Sequence, residues 1–370
     1  MTLIEELRST LGPDRVRSHP LERIVYDKDA GVTRGEVVAA ALPETTQEVA
    51  ACVRIAKARG VPVVARGAGT GLAGGAVPAE PALLIVLTRM HEIWEVDSDA
   101  KTAWVGPGVL NLDLSRATEH LGLHYAPDPS SQAACTIGGN VATNAGGPHC
   151  LAEGTTVAHI LGVEMVTADG ETLLLGGQAP DPIGLDLRSV VVGSEGTLGI
   201  VTKVLVKLTE NPPAVRTLLL TFDSIEAAAK TVSDTIAAGI VPAALEMMDQ
   251  PMVIAVESFI HGGLPVEATA VLLAELVGLE DGVAAEAQLV ESIANRAGAT
   301  SVRVAADEAE RALLWKARKN AFGAVAQAAP DYYLHDTVVP RTRLVEVMSK
   351  IYEIGDRHGI KMLNVFHAGD

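Results

Sequence analysis

Apolar and polar positions change character along the chain at Asn211-Pro212-Pro213, its clearest linker. Before it, residues 3–11 have the spacing of a short amphipathic helix. Val37 to Leu42 reads as an apolar strand ended by Pro43. Thr45 and Glu48 form a capping-box pattern ahead of a helix that stops at Gly60. Val61 opens a β-branched strand, and Ala82 to Leu87 is another. Ile93–Val96 and Thr102–Val105 form a hairpin around Ser98-Asp99, and Leu110 to Leu121 a helix ended by Gly122. Leu161 to Thr167 and Thr172 to Leu175 pair across Asp169-Gly170, and a strand runs from Ile200 to Leu208. Beyond the linker, strands alternate with helices. The strands are Arg216–Phe222, Ala243–Met248, Thr269–Leu276, Ser301–Val304, Tyr332–Val339 and Lys361–Phe366, and the helices cover 224–238, 283–297, 307–328 and 341–358. The expectation is an α+β domain whose antiparallel sheet carries helices on one face.

Three glycine-rich stretches interrupt this pattern. The first, Val61 to Pro78, leaves its strand as RGAGTGLAGGAVP. Glycine lets a backbone approach a ligand closely, and consecutive N–H groups make an anion-binding concavity, so a diphosphate is the natural ligand. Gly69-x-Gly71-x-x-Gly74 matches the dinucleotide fingerprint, but that motif needs a helix straight after its glycines. Here Pro78 and Pro81 follow, and a nicotinamide-dinucleotide site is excluded. The second stretch, Ala126 to Gly147, is small and polar, with Asn140, Thr143 and Asn144 offering uncharged hydrogen bonds. Alone it reads equally as an irregular surface loop; beside the first it suggests a shared ligand. In the third, Val190 to Thr202, Gly193, Gly196 and Gly199 recur every three residues.

Composition narrows the class. The 370 residues suffice for two domains. A net charge of -17, from 29 basic and 46 acidic residues with no basic block, argues against nucleic acid and anionic membranes. No apolar run reaches a membrane-spanning length, and the N-terminus does not resemble a signal peptide. Cys52, Cys135 and Cys150 match no zinc spacing, which points to a reducing cytoplasm.

The motifs RGAGTGLAGGA, PDPSSQAACTIGGNVATNAGG, VVGSEGTLGIVT, LWKARKNAF, DYYLHDTVVP and NVFHAGD, in this order, resemble FAD-linked oxidases of the vanillyl-alcohol oxidase / p-cresol methylhydroxylase superfamily. Within it they are most similar to glycolate oxidase flavin subunits and FAD-dependent D-lactate dehydrogenases. The resemblance implies an α+β, PCMH-type FAD-binding domain of two subdomains over 1–212, then an α+β cap domain over 213–370. It implies that Arg66, Gly67, Ala68, Gly69, Thr70, Gly71 and Leu72 hold the diphosphate. Asp128, Ser130, Ser131, Thr136, Gly138, Gly139 and Asn144 would line the ribityl chain and ring, and Glu195, Gly196 and Ile200 the ring or adenosine side. Relatives that attach flavin covalently often carry histidine where this chain has Thr70, so the FAD is expected to be non-covalent.

The resemblance also implies oxidation of a small D-2-hydroxyacid, glycolate or D-lactate, to the 2-oxoacid. Arg318 alone reads as part of a solvated helix face; by resemblance it is the substrate-carboxylate clamp, for which guanidinium suits better than lysine. His367 alone reads as an ordinary packed or solvated histidine. By resemblance it is the base and a ligand for a divalent metal (Zn, Mn or Fe) in the complete family site. His335, beside Asp336, is a further candidate near the substrate, whereas Cys135 reads as buried packing. Phe322 and Leu334 stand where relatives handling larger acids have threonine and lysine, which favours a small substrate. The implied partners are an electron acceptor (a quinone, an iron–sulfur subunit or an electron-transfer flavoprotein) and a multi-subunit complex or homodimer, peripheral to the inner membrane through partner subunits. The chain stops at HAGD, where relatives continue with Gly-Asn-x-His. The expectation is a fragment or a partner-completed site, with a non-catalytic FAD-binding subunit as the alternative.

Overall fold

The computed structural model describes residues 1–179, 184–329 and 331–369. The chain forms two compact units. One comprises Met1–Gly146 with Gly154–Asn211, and the other Gly147–Glu153 with the chain from Pro212 onward.

The first unit holds two sheets. In one, β1 (Val16–Arg17), β2 (Val37–Ala41), β3 (Val63–Arg66) and β4 (Ala82–Val86) lie in the order β1-β2-β4-β3. β4 runs parallel to both β2 and β3; α1 (Leu3–Leu11) precedes β1, the single turn α2 (Pro20–Arg23) lies between β1 and β2, and α3 (Thr46–Ala58) joins β2 to β3. Leu7 and Leu11 of α1 and Val49 and Val53 of α3 pack on Leu83 and Ile85. Thr45 caps α3 by accepting the Glu48 N–H at 3.2 Å. The Glu48 carboxylate does not close the capping box; it pairs bidentately with Arg15 at 2.7 and 2.8 Å.

The second sheet is antiparallel, in the order β5-β6-β10-β8-β9, and a two-stranded ribbon, β7 with β11, adjoins it in sequence. The strands are β5 (Ile93–Asp97), β6 (Thr102–Val105), β7 (Leu123–His124), β8 (Ile160–Val166), β9 (Thr172–Gly176), β10 (Ile200–Lys207) and β11 (Thr209–Glu210). Its core takes in Leu114 of α4 (Asn111–Thr118) and Ile137 and Val141 of α5 (Ile137–Thr143). The helix α5 lies inside the second glycine-rich stretch, where no regular element is expected from the sequence. Thr136 caps it by accepting the Gly139 N–H. The chain then passes through α6 (Cys150–Glu153), which belongs to the other unit, and α7 (Leu187–Val191).

The second unit is built on one antiparallel sheet, ordered β15-β12-β14-β13-β16. Its strands are β12 (Ala214–Phe222), β13 (Ala244–Asp249), β14 (Ala270–Gly278), β15 (Ala299–Val304) and β16 (Val365–His367). The helices are α8 (Ile225–Ala237), α9 (Gln250–Ile260), α10 (Glu280–Ala297), α11 (Glu308–Lys319), α12 (Ala321–Ala324) and α13 (Leu344–His358). They do not lie on one face. Leu218, Leu220 and Leu272 pack under α8, α10 and α13, while Leu219, Val271 and Leu273 pack under α9, α11 and α12. The near-continuous apolar run of β14 is the corresponding signal, because only a strand covered on both sides lacks alternation.

Three further expectations are corrected. The helix over 307–328 breaks at Asn320, whose side chain donates to the Lys316 carbonyl at 2.8 Å and ends α11. Tyr332–Val339 is not a strand; it runs unpaired at the surface, with Val338 97% exposed. The last strand shortens from Lys361–Phe366 to Val365–His367, paired with β13. Among the described residues no helix is long and apolar enough to cross a membrane.

One buried acid ties α11 to the sheet. Glu275 on β14 accepts from Thr217 Oγ1 at 2.6 Å, Arg311 Nη1 at 3.2 Å and Trp315 Nε1, and lies 3.2 Å from His149 Nε2. Burial works to raise its carboxyl, but hydrogen bonds from His149 and Thr217 and the attraction of His149 and Arg311 hold it down to about 2. A folded value below the ordinary 4.5 means that this stabilisation is present above that pH and is lost as pH falls toward 2. The shift corresponds to about 3 kcal/mol. Glu275→Gln should lower stability by that order at neutral pH in denaturant titrations, with the gap to wild type closing between pH 4.5 and 2. A gap that stays constant with pH would show that the charge of Glu275 does not matter.

Candidate functional site

In the first unit the three glycine-rich stretches line one cleft. The end of β3 turns out of the sheet at Arg66, and no helix follows; the chain crosses in irregular backbone to Pro81. From Ala68 to Leu72 no backbone N–H has a hydrogen-bond partner among the described residues. A row of bare amides is unusual in a folded protein and marks a place for an acceptor-rich ligand. Glycine is required here by space as well as by conformation. Gly69 has φ 74°, and a Cβ built on it would collide with the Arg66 guanidinium. A Cβ on Gly67 would collide with Thr136 Oγ1.

Of the residues expected at this site, Arg66 to Leu72, Ser131, Thr136, Gly138, Gly139, Glu195, Gly196 and Ile200 line the cleft. Asp128, Ser130 and Asn144 do not. Asn144 takes a left-handed conformation that ends α5, and its Oδ1 accepts the Val157 N–H at 2.9 Å, a structural task. Glu195 also has positive φ, 52°, and carries its carboxylate to the cleft wall. Such backbone persists where its surroundings hold it, often at functional sites. The cleft encloses about 190 Å³.

Sequence reasoning missed Asp29. It is buried at the cleft, accepts Gly31 N at 2.7 Å and Gly74 N at 2.9 Å, and so clamps the far end of the glycine loop. The Asp-x-Gly spacing of an Asx turn at Asp29-Ala30-Gly31 was the available signal. Burial pulls the Arg66 guanidinium down, opposed by Asp29, Tyr26 and Asp27. A guanidinium stays protonated through such a change, so the cleft keeps one fixed positive charge beside its bare amides.

The second unit assembles a different cluster. Arg318 is in the last turn of α11 and only 4% exposed. Its Nη2 pairs with Oε2 of Glu246, itself 1% exposed on β13, and its Nε has no hydrogen-bond partner among the described residues. The other oxygen, Glu246 Oε1, lies 2.8 Å from Nδ1 of His367 on β16. The structure thus brings Arg318 and His367 together through an acid that the sequence reading did not include. A lone glutamate in the apolar strand ALEMM was its signal. His335 does not join this cluster; its ring lies against Tyr333 at 4.8 Å on the exposed 331–339 segment. No group of three or more His, Cys, Asp or Glu gathers among the described residues. Among the described residues, His367 and a carboxylate already shared with Arg318 are too few ligands to hold a metal.

Residues 37–176 match the family model of the FAD binding domain, and residues 211–370 that of the FAD linked oxidases, C-terminal domain. The glycolate oxidase subunit GlcD of Escherichia coli (strain K12) is 48% identical over 350 residues, 94% of this chain and 70% of that protein. A D-lactate dehydrogenase of Archaeoglobus fulgidus is 33% identical over 331 residues, 89% of this chain and 72% of that protein. The solved 4-ethylphenol oxidase of Gulosibacter chungangensis has a TM-score of 0.82 at 21% identity, covering 98% of this chain and 79% of that one, a likeness of fold.

An FAD diphosphate suits the bare amides and the Arg66 charge. Each charge-assisted bond to it is worth roughly 1.5–3 kcal/mol. Gly69→Val should therefore purify folded but colourless, since the side chain displaces Arg66 and strains a left-handed position. Full flavin content in that variant would place the diphosphate elsewhere. With matched models over both halves and relatives of this identity, the chain belongs to the FAD-linked oxidases and is an FAD-dependent oxidoreductase.

Proposed function

We propose that this enzyme oxidises a small D-2-hydroxyacid, glycolate or D-lactate, to the 2-oxoacid. The carrying observation is Arg318, a buried guanidinium whose Nε has no hydrogen-bond partner among the described residues although Glu246 already takes Nη2. A buried donor left unsatisfied costs about 1–3 kcal/mol, which an incoming carboxylate recovers. The relatives named for glycolate and D-lactate supply the matching acids. Phe322 packs edge-on against Tyr332 at 5.6 Å, and neither it nor Leu334 offers a charge for a second carboxylate.

FAD supplies the acceptor for the hydride from C2. The protein's part is binding, orientation and proton transfer. Arg318 holds the substrate carboxylate through its free N–H edge. His367 takes the hydroxyl proton as the C2–H bond breaks, so the substrate loses one hydride and one proton and becomes the 2-oxoacid. The relative is named a subunit, which supports a partner protein as the route by which electrons leave.

Three measurements test this. Anaerobic glycolate or D-lactate should bleach the bound flavin, and an unchanged flavin spectrum with both acids would overturn the proposal. The flavin should leave the polypeptide on acid or heat denaturation, because Thr70 offers no attachment point. In turnover, Arg318→Lys should lower kcat/KM by roughly tenfold to a hundredfold while flavin stays bound, as expected for losing part of a charge-assisted fork. An unchanged kcat/KM would remove Arg318 from the site.

A further inference from the structure

We propose that the second sheet of the first unit carries a docking groove for a partner protein, in which an arginine of the partner lies on Trp104 and pairs with Glu95. The inference does not depend on the substrate proposed above.

The groove lies between the N-terminal end of α3 and one face of the β5-β6-β10-β8-β9 sheet. It encloses about 530 Å³ and shares no lining residue with the glycine-rich cleft. Two of the three tryptophans in the chain, Trp94 and Trp104, line it. Strand register puts them there. Glu95 of β5 stands opposite Trp104 of β6, so a carboxylate and an indole are cross-strand neighbours. A register shift between Ile93 and Glu95 breaks the alternation of β5, and the consecutive Trp94 and Glu95 both line the groove. At the other end stands Leu174 of β9, 63% exposed. Four strand spacings of about 4.8 Å separate β5 from β9, so the lining spans roughly 19 Å. That is the length of a peptide segment rather than of one small cation.

Trp94 is 44% exposed yet held in place. Its Nε1 donates to Glu92 Oε2 at 2.7 Å, and Lys203 Nζ stands 5.6 Å from its ring centroid. A large aromatic side chain already fixed at the surface loses little freedom on binding, which is what the anchors of protein interfaces require. Lys203 also shows what chemistry the groove takes, because its ammonium serves both the Trp94 ring and Glu164 Oε2, 3.2 Å away. Among the described residues no cation lies over Trp104. Glu44 is paired with Arg15 and Arg89, and Glu164 with Lys203, but Glu92 and Glu95 have no cationic partner among the described residues. The groove therefore offers an uncovered indole beside an uncompensated carboxylate. Guanidinium matches that pair better than ammonium, because its plane stacks on indole while its edge forks to a carboxylate. A net charge of -17 draws a basic partner toward the groove and repels a second copy of the chain.

The experiment uses the flavin-loaded protein labelled with ¹⁵N at its tryptophan indoles. The signals of Trp94 and Trp104 are assigned by their loss in Trp94→Phe and Trp104→Phe. The probe is a blocked peptide of three leucine–arginine repeats, compared with the same peptide carrying citrulline, the neutral isostere of arginine. The arginine peptide should shift the Trp94 and Trp104 signals and leave that of Trp315 in place. The citrulline peptide should bind at least about fivefold more weakly, and so should the arginine peptide to a Glu95→Gln, Trp104→Leu double variant, with flavin content unchanged. A smaller loss in the double variant would mean diffuse attraction to an acidic surface and would overturn the proposal. Equal binding of the citrulline peptide, or no shift at millimolar arginine peptide, would overturn it as well. If the double variant does not fold, Glu95→Gln alone decides by the same criterion. Light scattering covers the remaining occupant: a dimer that Trp94→Ala dissolves would assign the groove to a second copy and overturn the proposal.

Discussion

A carboxylate taken out of water into a β-sheet has to be paired, and the second unit is arranged around two of them. Leaving one partner out would strand a buried charge, at a cost of about 3–5 kcal/mol. Glu275 and Glu246 therefore dictate where α11 can sit, because Arg311, Trp315 and Arg318 meet them only in one register of that helix. The same requirement explains why the sheet tolerates a buried hydroxyl at Thr217 and an imidazole at His367. Apolar packing covers the two faces without choosing between neighbouring registers, whereas ion pairs of fixed geometry do choose.

The first unit uses the opposite device. Its cleft leaves backbone amides from Ala68 to Leu72 without partners among the described residues, and glycine at 67 and 69 keeps side-chain atoms out of the way. The loop cannot be held by its own amides, so Asp29 holds it from outside through Gly74 N, and Ala30 N reaches Gly71 O. The single positive charge of Arg66 is offset in part by Asp29 and Asp27. Attraction for a diphosphate thus falls mainly on oriented N–H dipoles, which need no reorganisation on binding.

The sequence made some of this legible and hid the rest for physical reasons. The glycine loop and the hairpin at Asp169-Gly170 were readable because they depend on local backbone geometry. The helix α5 was not, since its Ile137-Gly138-Gly139 start has poor intrinsic propensity and is held by tertiary packing of Ile137 and Val141. The segment Tyr332–Val339 has β-forming composition but pairs with neither edge strand of the sheet, β15 or β16, and propensity without pairing does not make a strand. Glu246 and Glu275 were passed over because one polar residue in an apolar strand carries no periodic signal. Their importance is set by what lies across the sheet: residues some 70 and 120 positions distant for Glu246, and 126 for the His149 contact of Glu275.

The position of His367 also depends on a third buried acid. The strand β16 is only three residues long and pairs on one side, so its three ladder partners hold it weakly by themselves. Asp249, at the other end of β13, accepts from Asn364 N at 2.9 Å, Asn364 Nδ2 at 2.8 Å and Tyr352 Oη at 2.7 Å, and its own N–H donates to the Asn364 carbonyl. It caps α9 as well, through Met252 N at 2.9 Å. Burial raises the Asp249 carboxyl despite these donors. The bonds therefore do not fully repay the loss of water, and the carboxylate contributes less to stability as pH rises through that raised value. A group that costs stability yet ties a strand end, a helix start and a tyrosine of α13 to one point is serving geometry. Two residues separate Asn364 from His367, and the strand between them alternates faces, so the Asp249 knot fixes the depth at which the imidazole meets Glu246.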